Sequence, residues 1–556
     1  MGYTNDYGQG GGSYYGGPPP LIIPKVPPKK PQTVPPSELP ASTGAPPFGV
    51  GGPPRGAGGP PPGVGGPPQG AGGPPPGVGG PPRGAGGPPP EALANSPLAV
   101  RPVGDLMLKF AIPSIIGMLV SSLYNMVDQL FIGRSVGPLG NAATSVAFPF
   151  TTFCMAIALL FGIGGASAFN LTLGRGDREK APYFIGNSIS VMTLAGIAVS
   201  VLTMLFLDPL LHFFGASPAI LPYAKEYVRI TAIGFPMLII STAGGHIMRA
   251  DGSPQMTMIS SITGAVLNTI LDAVFVFGFH WGMKGAALAT VIGQSVSTAI
   301  VLIYCMNYKT VKLTKEHLMP NFRWVRTVAS IGMASCFNQL AIAVVQIATN
   351  NSLRHYGALT KYGPDEPIAC AGIVVKVNMI IVSIVIGLAQ GTQPIESFNY
   401  GAKNYDRVKQ AFFMAIKAGA AVSITAFVFF QMFPRQILGF FGKGSENYYE
   451  FGVKYFRLFM MLIWFNCLQP ITSTFFTSIG KSVKGLFLSL TRQIIFFLPL
   501  LLVMPLIFGM DGILYSGPIA DLLAGVVAIS MAITEFKDME RLQAINDFES
   551  LPKLSR

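Results

Sequence analysis

Twelve stretches of about 20 mostly apolar residues recur between Asp105 and Thr534, separated by short polar links, and no other feature constrains the fold as tightly. Each stretch is long enough to cross a hydrocarbon core of about 30 Å as a helix. The expected spans are 105–133, 143–173, 183–207, 223–249, 255–280, 284–307, 324–352, 369–392, 408–432, 451–478, 485–508 and 513–534. Only 11% of the residues are charged and 50% are apolar, whereas ordinary soluble domains carry roughly 25% charge. A soluble chain of this composition would aggregate, so its apolar surface is expected to face lipid. The fold class that follows is an all-α polytopic membrane protein.

Residues 1–96 read differently. Residues 49–90 hold three near-perfect copies of a 14-residue unit, first as Gly49–Pro62. Such a segment cannot bury a core and reads as a disordered Pro/Gly tail. The opening residues lack the basic, apolar and small-residue order of a cleavable signal, so span 1 is expected to direct insertion. The five cysteines stand singly, with no spacing that suggests a metal site or a disulfide framework.

Basic residues gather in the links after even-numbered spans. Arg175, Arg178 and Lys180 follow span 2, Lys309, Lys312 and Lys315 follow span 6, and Lys403, Arg407 and Lys409 follow span 8. The positive-inside rule then puts both termini in the cytoplasm of a multi-pass plasma-membrane protein. Arg435, Lys443, Lys454 and Arg457 around the link after span 9 run against the pattern. The formal net charge of +13 is read as a topology signal and not as a nucleic-acid surface.

The chain repeats itself. Gly174 matches Gly401, Phe213-Phe214-Gly215 matches Phe440-Phe441-Gly442, and Gly282-Met283-x-Gly285 matches Gly509-Met510-x-Gly512, at an offset of 227. Six spans per half is an even number, so the halves insert in the same sense, as parallel repeats about an axis along the membrane normal. Two such six-helix lobes enclose a central cleft, the architecture of a secondary transporter. The expected organisation is a tail over 1–96, lobes over 97–310 and 324–536, a linker over 311–323 and a cytoplasmic tail over 537–556. No phosphate-binding G-x-x-x-x-G-K-[ST] motif marks a nucleotide-driven pump.

Charged residues within spans are costly and read as functional by default. Asp128 lies in span 1 and Asp272 in span 5, where Asn268 shares its helix face at i, i+4. Thr290 and Gln294 share a face of span 6 in the same way. Two carboxylates, an amide and a hydroxyl form a hard ligand set for Na⁺. They equally suit a shared proton, because two like charges in a poorly solvated pocket cannot both ionise cheaply. The second half has no acid matching Asp272, so the acids do something the fold itself does not require. Asp521 matches Gln294 and reads either as a substrate contact or as a partner for a polar group of its own lobe. Pro113 is placed to bend span 1. Phe148, Phe150, Phe153 and Met155 are candidates for the cleft wall.

These features together resemble the MATE (multidrug and toxic compound extrusion) family. The likeness covers residues 105–535 and rests on the two-by-six repeat, Tyr124-Asn125-x-x-Asp128, the loops 174–177 and 401–404, Arg249-Ala250-Asp251-Gly252-Ser253-Pro254 and Asn268-x-x-x-Asp272. The resemblance implies export of amphipathic organic cations in exchange for H⁺ or Na⁺, with no other cofactor. It further implies a branch with its cation site in the N-terminal lobe, where Asp128 and Asp272 are the paired acids, Asn268 and Thr290 the neutral ligands and Pro113 the bending proline. A monomer is expected, with membrane lipid and small amphipathic cations as its partners. A lipid-precursor flippase on the same fold, or a non-transporting scaffold that recruits partners through its tail, are the alternatives.

Overall fold

The computed structural model describes residues 96–363, 366–441 and 445–550. The tail expected over 1–96 lies outside these residues except for Ser96, as do Gly442 and Lys443. Regular structure among the described residues is entirely helical. Among the described residues ten helices are long and apolar enough to span a membrane: Val103–Ser135, Leu139–Gly174, Ala181–Leu205, Pro254–Gly278, Gly282–Met306, Phe322–Ala358, Glu366–Gly401, Tyr405–Met432, Ser482–Phe508 and Met510–Asn546. Two further spans are broken. Span 4 consists of Leu221–Ile233 and Phe235–Ala250, bent by 55°, and span 10 of Glu446–Phe459 and Ile463–Ser478, bent by 44°. The twelve expected spans are thus present, with breaks at matching places in the two lobes that hydropathy did not reveal. At the first break Pro236 lacks an amide proton to give the helix, and a helix through it must bend.

Span 8 runs to Gly401 rather than to residue 392. Its last turns are polar, so a hydropathy reading ends them early, yet Gln390, Gln393, Glu396 and Asn399 are buried. The other lobe supplies partners: Arg249 donates to Gln390 at 2.9 Å, Gln393 donates to Ser167 at 2.7 Å, and Asn399 donates to the carbonyl of Leu98 at 3.1 Å. The final helix likewise continues to Ser550. Ion pairs of Lys484 with Glu535 (2.8 Å) and Lys409 with Glu540 (2.9 Å) tie it to the C-terminal lobe. Between the lobes a short helix, Lys315–Leu318, lies on span 3. There Asn187 donates to the carbonyl of His317 at 3.1 Å and accepts from the amide of Asn321 at 2.7 Å.

The lobes meet where spans 1 and 8 and spans 2 and 7 cross, and glycine makes the crossings possible. A Cβ on Gly387 would come within 2.6 Å of the Ile115 Cα, and one on Gly391 within 2.5 Å of the Ala111 Cα. A Cβ on Gly164 would strike the Val328 carbonyl, and one on Gly332 the Leu160 carbonyl. Gly174 and Gly401, mates in the repeat, are pressed reciprocally against the carbonyls of Phe398 and Leu171. These contacts share the end of the bundle that carries the 174–177 loop. The hydroxyls of Ser122 and Ser383, 2.5 Å apart, mark the far limit of the seal. Beyond them Gln129, Phe153, Lys376 and Met379 are exposed. Helical register sets these four on faces that the sealing residues below turn toward the opposite lobe, so the lobes part into a cleft. Around span 9, the basic residues that depart from the charge pattern are partly neutralised, Arg435 by Glu446 at 3.0 Å and Lys454 by Asp511 at 2.6 Å.

Candidate cation site in the N-terminal lobe

Span 1 has two working faces. Ala111, Ile115 and Ser122 turn toward the other lobe, while Gly117 lets span 5 approach on the opposite side, with Ser261 Oγ 3.7 Å from where its Cβ would lie. Tyr124 and Asp128 belong to the second face and point into their own lobe. Span 5 answers with Asn268 and Asp272, both buried, Asp272 with no exposed surface. Immediately after Asp272 the helix widens into a π-turn over Ala273–Gly278, an irregularity that occurs often at functional sites.

The structure brings the two acids together, with Asp128 and Asp272 as immediate neighbours inside the lobe. The Asn268 side chain adjoins Asp272, and its Nδ2 donates to Thr290 Oγ1 at 3.4 Å. Tyr227, from the first half of broken span 4, contacts Thr290, and Tyr124 adjoins the acids from span 1. Asp128 Oδ1, both carboxyl oxygens of Asp272 and Asn268 Oδ1 are buried without a donor. Burying such oxygens unpaired costs several kcal/mol each on the scale of transfer from water. The donor set therefore fits a proton or a monovalent cation that accepts hard oxygen ligands.

Other expected residues fall elsewhere. Gln294 lies one turn from Thr290, beside Gly234 at the break in span 4, and no hydrogen bond joins it to either acid. Pro113 is buried between Ala111 and Ile115, at the height where span 8 presses on span 1, and span 1 passes through it as one helix. Of the four candidates for the cleft wall, Phe153 is exposed on the cleft-facing side. Phe150 is instead core, with its ring 5.0 Å from that of Phe214. Phe148 is exposed on another face of the helix, and Met155 accepts a hydrogen bond from Thr242 of its own lobe at 3.6 Å.

Asp521 pairs with Arg492 at 2.5 Å, and both side chains are largely buried. Arg492 sits in a second π-turn, Thr491–Phe497. A lone arginine in span 11 was the signal that Asp521 had a charged partner. Asp521→Asn is expected to strand the guanidinium and lower stability by about 3–5 kcal/mol, whereas replacing both residues with Leu and Met should cost much less. The unfolding temperatures of the three proteins, measured in lipid nanodiscs, check this. In the Arg249–Pro254 motif, Arg249 contacts His246 Nδ1 at 2.9 Å and reaches across the seal to Gln390, whereas Asp251 ties its own lobe together, accepting from Tyr304 at 2.6 Å and from the amides of Lys309 and Thr310.

The family model MatE matches residues 113–274 and 334–503. Among curated relatives, the multidrug export protein MepA of Staphylococcus aureus (strain MSSA476) is 24% identical over 429 residues, covering 77% of this chain and 93% of its own. MepA of Staphylococcus haemolyticus (strain JCSC1435) is 24% identical over 424 residues, covering 76% and 92%. Among solved structures, an outward-facing multidrug resistance MATE family transporter of the MOP superfamily aligns with a TM-score of 0.74 at 22% identity, over 81% of this chain and 98% of that one. A MATE structure in a bent conformation gives 0.73 at 21% identity, over 82% and 98%. The two-lobe fold is shared with these structures, and the family match spans both lobes, from Pro113 through Asp128 and Asp272 to span 11; this chain belongs to the MatE family.

Proposed function

We propose that the chain is a secondary active efflux transporter that exports amphipathic organic cations in antiport with H⁺ or Na⁺ by alternating access. The observation that carries this reading is the acid pair: three of its four carboxyl oxygens are buried without a donor, within a lobe whose other side borders an open cleft. The relatives named as multidrug export proteins support the substrate class. With the basic links in the cytoplasm, the sealed end is cytoplasmic, both termini lie inside the cell, and this pose faces outward.

In that pose a proton or Na⁺ reaches Asp128 and Asp272 from outside. Neutralising the pair removes the penalty for two buried anions and favours a tighter lobe. Pro113 lies where span 1 meets span 8, about 22 Å along the helix from Asp128, so a changed bend there alters the seal. By linkage, an ion that weakens drug binding must itself be bound more weakly when drug is present. A monovalent drug exchanged for one H⁺ moves no net charge, so the chemical gradient alone drives it. Exchange for two ions adds roughly 2.3 kcal/mol per 100 mV.

The test is efflux of a fluorescent lipophilic cation from proteoliposomes, with pH and Na⁺ gradients imposed separately. Acceleration by one gradient, and its loss in Asp272→Asn, is expected; indifference to both gradients would remove the antiport reading. Deletion of residues 1–95 is expected to leave efflux unchanged, because the acid pair and all twelve spans lie after residue 95 in the chain. A scaffold working through the tail would instead lose its role.

A further inference from the structure

We infer that Lys376 makes the C-terminal wall of the cleft a receptor for a negatively charged group, so that the protein also takes amphiphilic anions, an aromatic or alkyl body bearing one carboxylate, sulfonate or phosphate. This rests on the cleft being the substrate pathway. It departs from the expectation that the charge of the substrate is positive.

Register fixes where Lys376 points. On span 8, Ser383 meets Ser122 of the other lobe, Gly387 packs on Ile115 and Gln390 accepts from Arg249. Stepping back from Ser383 by seven residues, two helical turns, returns to the same face at Lys376. The opposite face, with Cys370, Val374 and Val385, is the buried core of the C-terminal lobe. Lys376 therefore faces the other lobe about 10 Å beyond the Ser122–Ser383 contact, where the lobes have parted and its side chain is exposed. It makes no hydrogen bond or ion pair among the described residues. Asp128 lies at a similar height on span 1, but its carboxyl is turned away from the cleft, toward Asp272.

An ammonium within a membrane span is costly and reads as part of a substrate or ion path. The rest of this wall supports the sign of the ligand. Gln339 and Gln346 of span 7 lie on the face that Gly332 turns to the other lobe, and exposed Arg354 continues that face toward the mouth. Across the cleft Phe153 offers a ring, 48% exposed, for the apolar body. The wall thus combines donors and positive charge with an aromatic surface opposite, which suits an anionic head on an apolar body.

The test uses two probes with the same body and opposite charge, pyrenebutyrate and pyrenebutyl-trimethylammonium. Their binding to the full chain in phosphatidylcholine nanodiscs is measured against empty nanodiscs. Lys376→Met is expected to weaken pyrenebutyrate by roughly ten-fold or more, to leave the cation unchanged or tighter, and to keep the parent melting temperature. Lys376→Arg should retain the anion. Equal anion affinity in the parent and Lys376→Met overturns the inference, as does a loss of both probes alike in that variant. If the parent binds the cation but not pyrenebutyrate, only this inference fails; if it binds neither, the multidrug reading of the cleft fails with it.

Discussion

Asp272→Asn is expected to abolish ion-coupled efflux, lowering its rate by about a hundred-fold, while leaving the protein at least as stable as the parent. Asparagine keeps the volume and places an amide donor beside Asp128, so the variant carries a permanent imitation of the neutralised pair. It can no longer take up and release an ion in each cycle. A hundred-fold corresponds to about 2.7 kcal/mol, in the range of a lost charge-assisted contact. Stability moves the other way because a fully buried acid, with both oxygens lacking donors, is replaced by a neutral group that is cheaper to bury. A raised or unchanged unfolding temperature combined with lost coupling separates a mechanistic role from a structural one. The two acids work as a unit, so Asp128→Asn on top of Asp272→Asn should cost little more. Gradient-driven efflux surviving in folded Asp272→Asn would withdraw the residue from the mechanism.

Gly332→Val should have a comparably large effect by an unrelated route. Its side chain would strike the Leu160 carbonyl in the middle of the crossing between spans 2 and 7, and backbone cannot rotate aside as a flexible side chain can. Overpacking of this kind costs about 1–3 kcal/mol, and here the strain falls on the sealed pose alone. A bias of that size shifts a two-state equilibrium roughly 5- to 150-fold. Spin labels at positions 178 and 403, on opposite lobes at the sealed end, should report a longer distance in the variant. Drug-coupled efflux should fall because the sealed end no longer closes. An unchanged distance distribution in folded Gly332→Val would show that the crossing has more slack than its geometry indicates.

Much of this was legible in the sequence. Twelve apolar runs and an offset of 227 between the halves are enough to define spans and lobes, because a span can be read from its own composition. Asp128, Asn268, Asp272 and Thr290 could be picked out because polar groups in apolar runs are conspicuous, and the helical period placed Asn268 and Asp272 on one face. Features that depend on the facing element were not legible. Gln393 through Asn399 read as lying past the end of span 8 because their partners, Ser167 and Leu98, are far away in the chain. Phe150 read as a cleft residue when Phe214 and Phe235 enclose it. Tyr227 comes beside Thr290 from the first half of a span that breaks at Gly234, and Asp521 became a salt-bridge partner only once Arg492 was brought beside it. Lys376 was visible as a lone base in span 8, but its orientation needed the Ser122–Ser383 contact.

The seal between the lobes is built largely from glycine against main chain. Such a surface has few rotamers to lock, so that beyond the hydrogen bonds of Gln390, Gln393 and Asn399 to the other lobe little has to reorganise when it parts. It is also shallow and free of substrate groups. A small hydrophobic wedge lodged there would arrest the cycle without competing with any cargo, and resistance to it would have to arise through changes at glycines that tolerate almost nothing larger.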